Sequence, residues 1–361
     1  MFYHVKELQF NARVSRPDPR FANLLLEQFG GGNGELKAAM QYFVQAFSAR
    51  QPYPDKYDLL MDIATEEFSH LEIVGATITM LLNGFYINLD ESPQRHHAMQ
   101  ARLKALGLDG VTQRFPGQRG DGRAARISAS QLGCFLSHQA VLEQAPADRF
   151  TLVLEDDASL AAALPRRLPA LLDPAQAQPW DILFLGQTVP YDSIHPLDRL
   201  IKASKELGDI GAPDFARFFL MDGAMHYVWG TFGYVVHPRA LPRLRALLRQ
   251  FAAHGYPTSW DGTLRTLIKQ GQLTARCLFP YLVGVDTGHD STISGRGPHL
   301  QHQLHALLVN LFLADADEQQ RLRAQALAFC PSATDWQAAY VGWLIYRKLS
   351  APADADTSAF A

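Results

Sequence analysis

Three consecutive acids, Glu155-Asp156-Asp157, close the apolar run Thr151-Leu-Val-Leu, and no other stretch of the 361-residue chain packs as much potential chemistry. An apolar run ending in carboxylates reads as a strand that delivers them to the rim of a sheet, where open α/β sheets bind their ligands. Like charges held together repel, so the cluster needs a cation or hydrogen-bond donors to offset it. A divalent ion such as Mn²⁺ or Mg²⁺ takes oxygen ligands of this kind and can bridge them to a diphosphate. Taken alone, the segment reads equally well as a solvated acidic turn. A second group lies far upstream, where Glu67-Phe-Ser-His70 sets a carboxylate and an imidazole at i, i+3 on one helix face. Cys134, Cys277 and Cys330 are scattered and form no CxxC pair, which argues against a zinc ribbon or a disulfide framework. Cys134 reads as a small core residue rather than a nucleophile.

Helices must carry the upstream group. Phe21, Leu24, Leu25 and Phe29, then Leu36, Met40, Phe43, Val44 and Phe47, recur at helical spacing on either side of a Gly30–Gly34 break. No GK[ST] follows these glycines, so they are not read as a phosphate loop. Pro52 and Pro54 end this first arm of a hairpin, and the second arm runs from about Lys56 to Leu82. The pattern changes at Asn83-Gly84. Strands are predicted at Phe85–Leu89, Thr151–Leu154, Ile182–Leu185, Gly233–Val236 and Leu278–Val283. Helices fall between them around Gln94–Leu106, Ala129–Glu143 and Pro238–Gln250. That alternation predicts an α/β domain over residues 84–299 with a largely parallel sheet. Residues 300–350 return to helix, and the Ala/Asp/Ser tail 351–361 reads as disordered.

At 47% hydrophobic and 19% charged residues the chain can bury a sizeable core, and a net charge of −3 offers no basis for nucleic-acid binding. The start MFYHVKELQF carries charge where a secretion signal needs an apolar stretch. The longest apolar run, Ile73–Leu82, is roughly half of what a bilayer span requires. A cytoplasmic protein is expected.

Phe85-Tyr-Ile-Asn88-Leu89-Asp90-Glu-Ser-Pro93-Gln-Arg95 resembles the opening strand and turn of glycosyltransferase family 25, which includes lipopolysaccharide-type galactosyltransferases. Ile127-Ser-Ala-Ser-Gln-Leu-Gly133-Cys134-Phe-Leu-Ser137-His138 is similar to its second motif, and Leu154-Glu155-Asp156-Asp157 to its third, in the same order and spacing. Weaker similarity runs through Gly230–Pro238 and Trp260-Asp261-Gly to Asp290-Ser291, covering about residues 85–297. The resemblance implies a GT-A-like nucleotide-sugar-binding domain and transfer of a sugar, galactose by family likeness, from a UDP-sugar to a saccharide such as lipopolysaccharide. An enzyme on that acceptor would work at the inner face of the membrane, with peripheral association. The same likeness places Asn88, Asp90 and Arg95 at the nucleotide, makes Glu155 and Asp157 the arms of a DxD-like triplet around Asp156, and marks Asp157 as the better Mn²⁺ ligand. It implies inversion at the anomeric carbon, for which Asp261 is the candidate base, with a helix N-cap as the alternative. His289 is the candidate third metal ligand, and an ordinary loop histidine is the alternative. Ser137 and His138, adjacent on one helix, face apart and read as packing or positioning the donor.

Residues 1–83 are similar to something else, the N-terminal part of the non-haem manganese catalases. Val5–Gln9, Pro17–Phe21, Asn33-Gly34-Glu35 and above all Met61-Asp-Ile-Ala-Thr-Glu66-Glu67-Phe-Ser-His70-Leu-Glu72 carry that likeness. It implies a ferritin-like helical hairpin, half of a four-helix bundle. Dinuclear carboxylate bundles draw one Glu from each of two helices and a Glu-x-x-His from each of two others. Here Glu35 supplies the lone Glu and Glu67/His70 the pair, while no second Glu-x-x-His follows residue 83. The expected molecule is a fusion joined near Asn83-Gly84 that carries half a dimetal site. A homodimer through the hairpin could complete that site and give a rival activity, peroxide disproportionation by manganese. A two-helix hairpin with one apolar face must otherwise bury that face elsewhere.

Overall fold

The structure is a computed structural model, and it describes residues 19–81, 83–124, 126–147, 149–172, 180–189, 194–207, 218–286 and 300–350. The Val5–Gln9 block, His289, Asp290-Ser291 and the 351–361 tail lie outside the described residues. Two compact units are present. One is Met1–Asn83 with Asp148–Phe150 and Pro165–Gln178; the other is Gly84–Ala147, Thr151–Leu164 and Pro179–Ala361.

The first unit opens with α1 (Pro19–Gly30), α2 (Glu35–Ala49) and α3 (Pro54–Leu81). The expected first arm is therefore two helices. Residues 31–34 interrupt it because the chain folds back on itself there: a Cβ on Gly34 would sit 2.5 Å from the Gln28 carbonyl oxygen. Pro54 begins α3, where its missing N–H costs nothing. α2 meets α3 through small buried residues, Ala39, Ala46 and Ala64, and through a Phe43–Phe68 ring contact at 5.8 Å. Its large apolar residues face the other way. Leu36, Met40, Val44 and Phe47, at helical spacing, are 41%, 54%, 63% and 60% exposed, so the hairpin leaves its richest stripe uncovered.

The second unit runs β1 (Asn83–Asn88), α4 (Pro93–Ala105), β2 (Thr112–Pro116), α5 (Ala129–Gln144), β3 (Thr151–Glu155), β4 (Ala158–Leu160), α6 (Leu164–Leu171) and β5 (Ile182–Phe184). It continues with α7 (Ile194–Leu207), β6 (Phe219–Asp222), α8 (Gly223–His226), β7 (Gly233–Val236), α9 (Leu241–Ala253), α10 (Trp260–Lys269), β8 (Ala275–Phe279) and β9 (Val283–Val285). α11 (Leu300–Asn310), α12 (Ala316–Phe329) and α13 (Trp336–Ser350) close it. Asn83 and most of α6 fall in the first unit.

Seven strands form one sheet in the order β2-β1-β3-β7-β5-β8-β6, and β4 pairs with β9 separately. The sheet is mixed, which corrects the parallel expectation. β1–β2 and β5–β8 are parallel, but β7 runs antiparallel to both β3 and β5, and β6 antiparallel to β8. An apolar run reports burial on both faces, whereas strand direction is set by the connections, which carry no periodic signal. Beneath the sheet, α5, α9 and α10 enclose an aromatic core with Phe135, Phe184, Tyr234 and Trp260 at its centre. Among the described residues no helix is long and apolar enough to cross a membrane.

The C-terminal helices belong to this unit. Asn310, at the end of α11, accepts the Val285 N–H at 3.2 Å and donates to the Val285 carbonyl at 2.9 Å, so a side chain stands in for a strand beside β9. Asn310 is only 6% exposed. Replacing Asn310 with Leu strands two partly buried backbone groups of Val285, and the expected cost is about 1–3 kcal/mol in urea denaturation. A loss under about 0.5 kcal/mol would show that this joint is not what holds α11.

Candidate functional site

β3 is buried from Thr151 to Leu154, and its carboxylates then fan out. Glu155 accepts the Thr231 hydroxyl at 2.9 Å and lies 3.3 Å from His138 Nε2. Asp156 turns to the other side of the strand, accepting the Asn88 amide at 2.7 Å and pairing with Arg95 at 3.1 Å. Asp157 also pairs with Arg95, and its backbone carbonyl accepts the Asp286 N–H at 2.7 Å. One guanidinium thus serves two of three acids. Burial pushes Glu155 up, but His138, Thr231 and Arg95 outweigh it and hold the carboxyl below its usual range. At Asp157 the balance reverses: burial, with repulsion from Glu155 and Asp156, overrides Arg95 and raises the carboxyl to about 6.

The second sequence motif is largely scaffold. Ser128 and Gln131 close a reciprocal capping box at the start of α5. Gly133 admits the Gln118–Gly120 backbone, since a Cβ there would lie 2.6 Å from the Gln118 carbonyl oxygen. Ser137 donates to the Gly133 carbonyl at 2.7 Å and accepts the Gln118 N–H at 2.7 Å, which ties the same loop to the helix. Its neighbour His138 points into the site. The imidazole stacks on Trp260 at 5.1 Å and 9°, meets the Tyr234 hydroxyl at 2.9 Å through Nδ1, and presents Nε2 to Glu155. The two residues do face apart. Burial, with Glu155, Asp261 and Asp157 nearby, pushes the Cys134 thiol well up, which disfavours the thiolate.

Asp261 sits in the first turn of α10, whose N-cap is Ser259, so capping is not the role of the aspartate. Its Oδ1 accepts the Gly230 N–H at 2.9 Å and the Tyr227 hydroxyl at 3.3 Å. Gly230 has φ +106°, a region closed to most side chains, and that conformation supports the turn whose N–H reaches the carboxylate. Burial, then repulsion from Glu155, raises the Asp261 carboxyl despite the Gly230 hydrogen bond.

Of the residues expected at a nucleotide, Asn88 is 1% exposed and fully occupied: its amide donates to Ser92 and Asp156, and its oxygen accepts Arg114 Nε at 2.8 Å. Arg95 is 7% exposed and held by the acids. Asp90 is exposed and pairs with Arg114 at 2.6 Å. Arg114 itself, missed in the sequence, also lines a cavity of about 430 Å³ with Phe115, Gly117 and Gln118 at the end of β2. Tyr227, Thr231, Tyr234 and Trp260 were likewise given no role beforehand, although three of them stand inside the quoted similarity blocks.

Asp157 belongs to no group of three His, Cys, Asp or Glu donors among the described residues, and Cys134-His138-Glu155 is the group that forms around the triplet. Glu155 is satisfied by protein donors. Asp157 fits a divalent cation better, because its oxygen donors carry negative charge that Arg95 leaves partly uncompensated. In the first unit Glu35, Glu67 and His70 converge, with His70 Nδ1 3.0 Å from Glu67 and 3.6 Å from Glu35. Gln28 donates to Glu35 at 2.6 Å. The hydrogen bond with Glu35 raises Glu67. For Glu35, burial pushes up but the bonds from Glu67 and Gln28 and the His70 charge bring it below its usual range. These are the oxygen and nitrogen donors a manganese ion takes.

The raised carboxyl at Asp157 sets a pH dependence. A folded-state acid lifted from 3.8 to about 6 contributes stability below its unfolded value and loses it as pH rises through about 6. Asp157→Asn removes that loss. Its melting temperature relative to wild type is expected to climb between pH 4 and pH 7 in metal-free buffer, and a flat difference would contradict the assignment.

A family model described as manganese containing catalase matches residues 1–106, and one described as glycosyltransferase family 25 (LPS biosynthesis protein) matches residues 82–258. A probable manganese catalase of Clostridium acetobutylicum is 49% identical over 92 residues, 25% of this chain and 40% of its own length. A manganese catalase of Bacillus subtilis is 48% identical over 120 residues, 29% of this chain and 43% of its own. The chain spans less than half the length of these two relatives. The crystal structure of KatB, a manganese catalase from Anabaena, is similar at 26% identity, covering 59% of this chain and 84% of that one, with a TM-score of 0.22. That score is too low to compare folds. The chain is therefore a composite, in which the N-terminal part matches the manganese-containing catalases, the central part matches glycosyltransferase family 25, and the two matches overlap over residues 82–106.

Proposed function

We propose that the second unit moves a sugar, galactose by family likeness, from a UDP-sugar to a saccharide acceptor such as lipopolysaccharide, with inversion and with help from Mn²⁺ or Mg²⁺, on a GT-A-like frame. The observation that carries this reading is the acidic triplet at the end of β3, faced by Arg95 on one side and by Asp261 with its two fixed donors on the other. A cation on Asp157 would act as a Lewis acid toward the donor diphosphate. The chain's own groups do the rest. Arg95 and Arg114 offset phosphate charge, and the cavity at the end of β2 has room for the nucleoside. Asp261, oriented through Oδ1, takes the proton of the acceptor hydroxyl. That oxygen then bonds to the anomeric carbon as the carbon–oxygen bond to the nucleoside diphosphate breaks on the opposite face. The raised proton affinity of Asp261 suits a base. Such an enzyme would meet a lipid-linked acceptor at the cytoplasmic face of the membrane.

A second reading concerns the first unit. Glu35, Glu67 and His70 are gathered as half a dimetal centre, and the exposed Leu36-Met40-Val44-Phe47 stripe is what a second copy would cover. Two hairpins would then complete a manganese site able to disproportionate peroxide.

Two experiments test these readings. UDP release from UDP-galactose with a saccharide acceptor is expected to be abolished in Asp157→Ala, and to fall by about 100-fold or more in kcat with little change in donor KM in Asp261→Asn. Near-wild-type kcat in Asp261→Asn would remove it as the base. For the first unit, purified Asp157→Ala is expected to be a dimer that retains manganese and evolves oxygen from peroxide, and a metal-free or monomeric protein would rule out the dimetal centre.

A further inference from the structure

The C-terminal helices line an open cavity of about 730 Å³ whose floor is the β4–β9 pair and whose walls are α11, α12 and α13. Its lining lies beyond the matched glycosyltransferase segment, which ends at residue 258, except for Ser159 on the floor. We propose that it binds the neutral saccharide acceptor, an assignment that rests on the transferase reading of the triplet.

Position argues first. β4 starts one residue after Asp157 and pairs with β9 through Ala158 and Val285. Asp286, on the cavity wall, donates its N–H to the Asp157 carbonyl, and Arg102 binds its carboxylate. The floor of the cavity is therefore a direct continuation of the strand that delivers the acids.

Chemistry argues second. A sugar offers apolar C–H faces and closely spaced hydroxyls, so its sites combine aromatic surface with amides, hydroxyls and carboxylates. Tyr340 and Trp343 form an aromatic wall here, with ring centroids 5.3 Å apart and Arg347 5.1 Å from the Trp343 centroid. Ser159, Gln325 and the Glu318–Arg321 pair line the remainder. The Tyr340 hydroxyl has no hydrogen-bond partner among the described residues, although the residue is 0% exposed. A buried phenol in a cavity wall without a partner is the kind of group a ligand hydroxyl satisfies after a small shift.

Charge argues third. Even with Arg102 on Asp286 and Arg321 on Glu318, the carboxylates of Asp286, Asp315, Asp317 and Glu318 outnumber the guanidiniums of Arg102, Arg321 and Arg347, so phosphorylated or acidic sugars are disfavoured and neutral ones fit.

Full-length protein applied to an array of neutral, sialylated and phosphorylated glycans, then titrated calorimetrically with a neutral hit and separately with UDP, tests this. Neutral glycans are expected to bind, and Trp343→Ala and Gln325→Ala to weaken them 10-fold or more while UDP binding is unchanged. Wild type that retains no neutral glycan, prefers anionic ones, or binds equally well in both variants overturns the proposal. Glycan binding that depends on Trp343 without any UDP binding would leave the cavity standing and remove the transferase reading instead.

Discussion

Three carboxylates on consecutive residues at the end of a buried strand are the constraint on which the second unit depends. Their repulsion would pull the strand end toward solvent if nothing opposed it. The surrounding elements can be seen as the answer to that charge. α4 brings Arg95, β1 brings Asn88, α5 brings His138, and the turn before β7 brings Thr231. The compensation is uneven. Glu155 is held low by its donors, whereas Asp157 is left with its proton affinity raised, and a group in that condition gains most from a cation that arrives with substrate.

How far this was legible in the sequence follows from chain distance. The triplet could be read because three adjacent acids after an apolar run are a local pattern. His138 could be singled out with its motif, and the two faces of Ser137 and His138 follow from helix geometry alone. Partners brought in by the fold could not. Arg114 reaches Asn88 across 26 positions, Tyr227 reaches Asp261 across 34, and Thr231 reaches Glu155 across 76. The direction of β7 was hidden for the same reason, since a four-residue apolar run is equally buried in either sense. At Asp261 the local reading left two roles open, and the position of Ser259 at the cap removes the N-cap role.

The helical unit shows the reverse case, a pattern that is locally complete and globally unfinished. Its ligands are gathered within 4.8 Å, and its helices pack through alanines as their spacing requires. No second Glu-x-x-His helix stands beside them among the described residues, and the apolar stripe on α2 is left exposed.

The central claim is a donor site organised around Asp157, and a thermal-shift titration with UDP-galactose, with and without Mn²⁺, tests it most directly. A ligand at about a hundred times its dissociation constant stabilises the folded state by roughly 2.7 kcal/mol. The account expects a Mn²⁺-dependent rise in melting temperature that also appears with UDP alone and disappears in Asp157→Ala. No shift with either ligand, or a shift that Asp157→Ala retains in full, would contradict it.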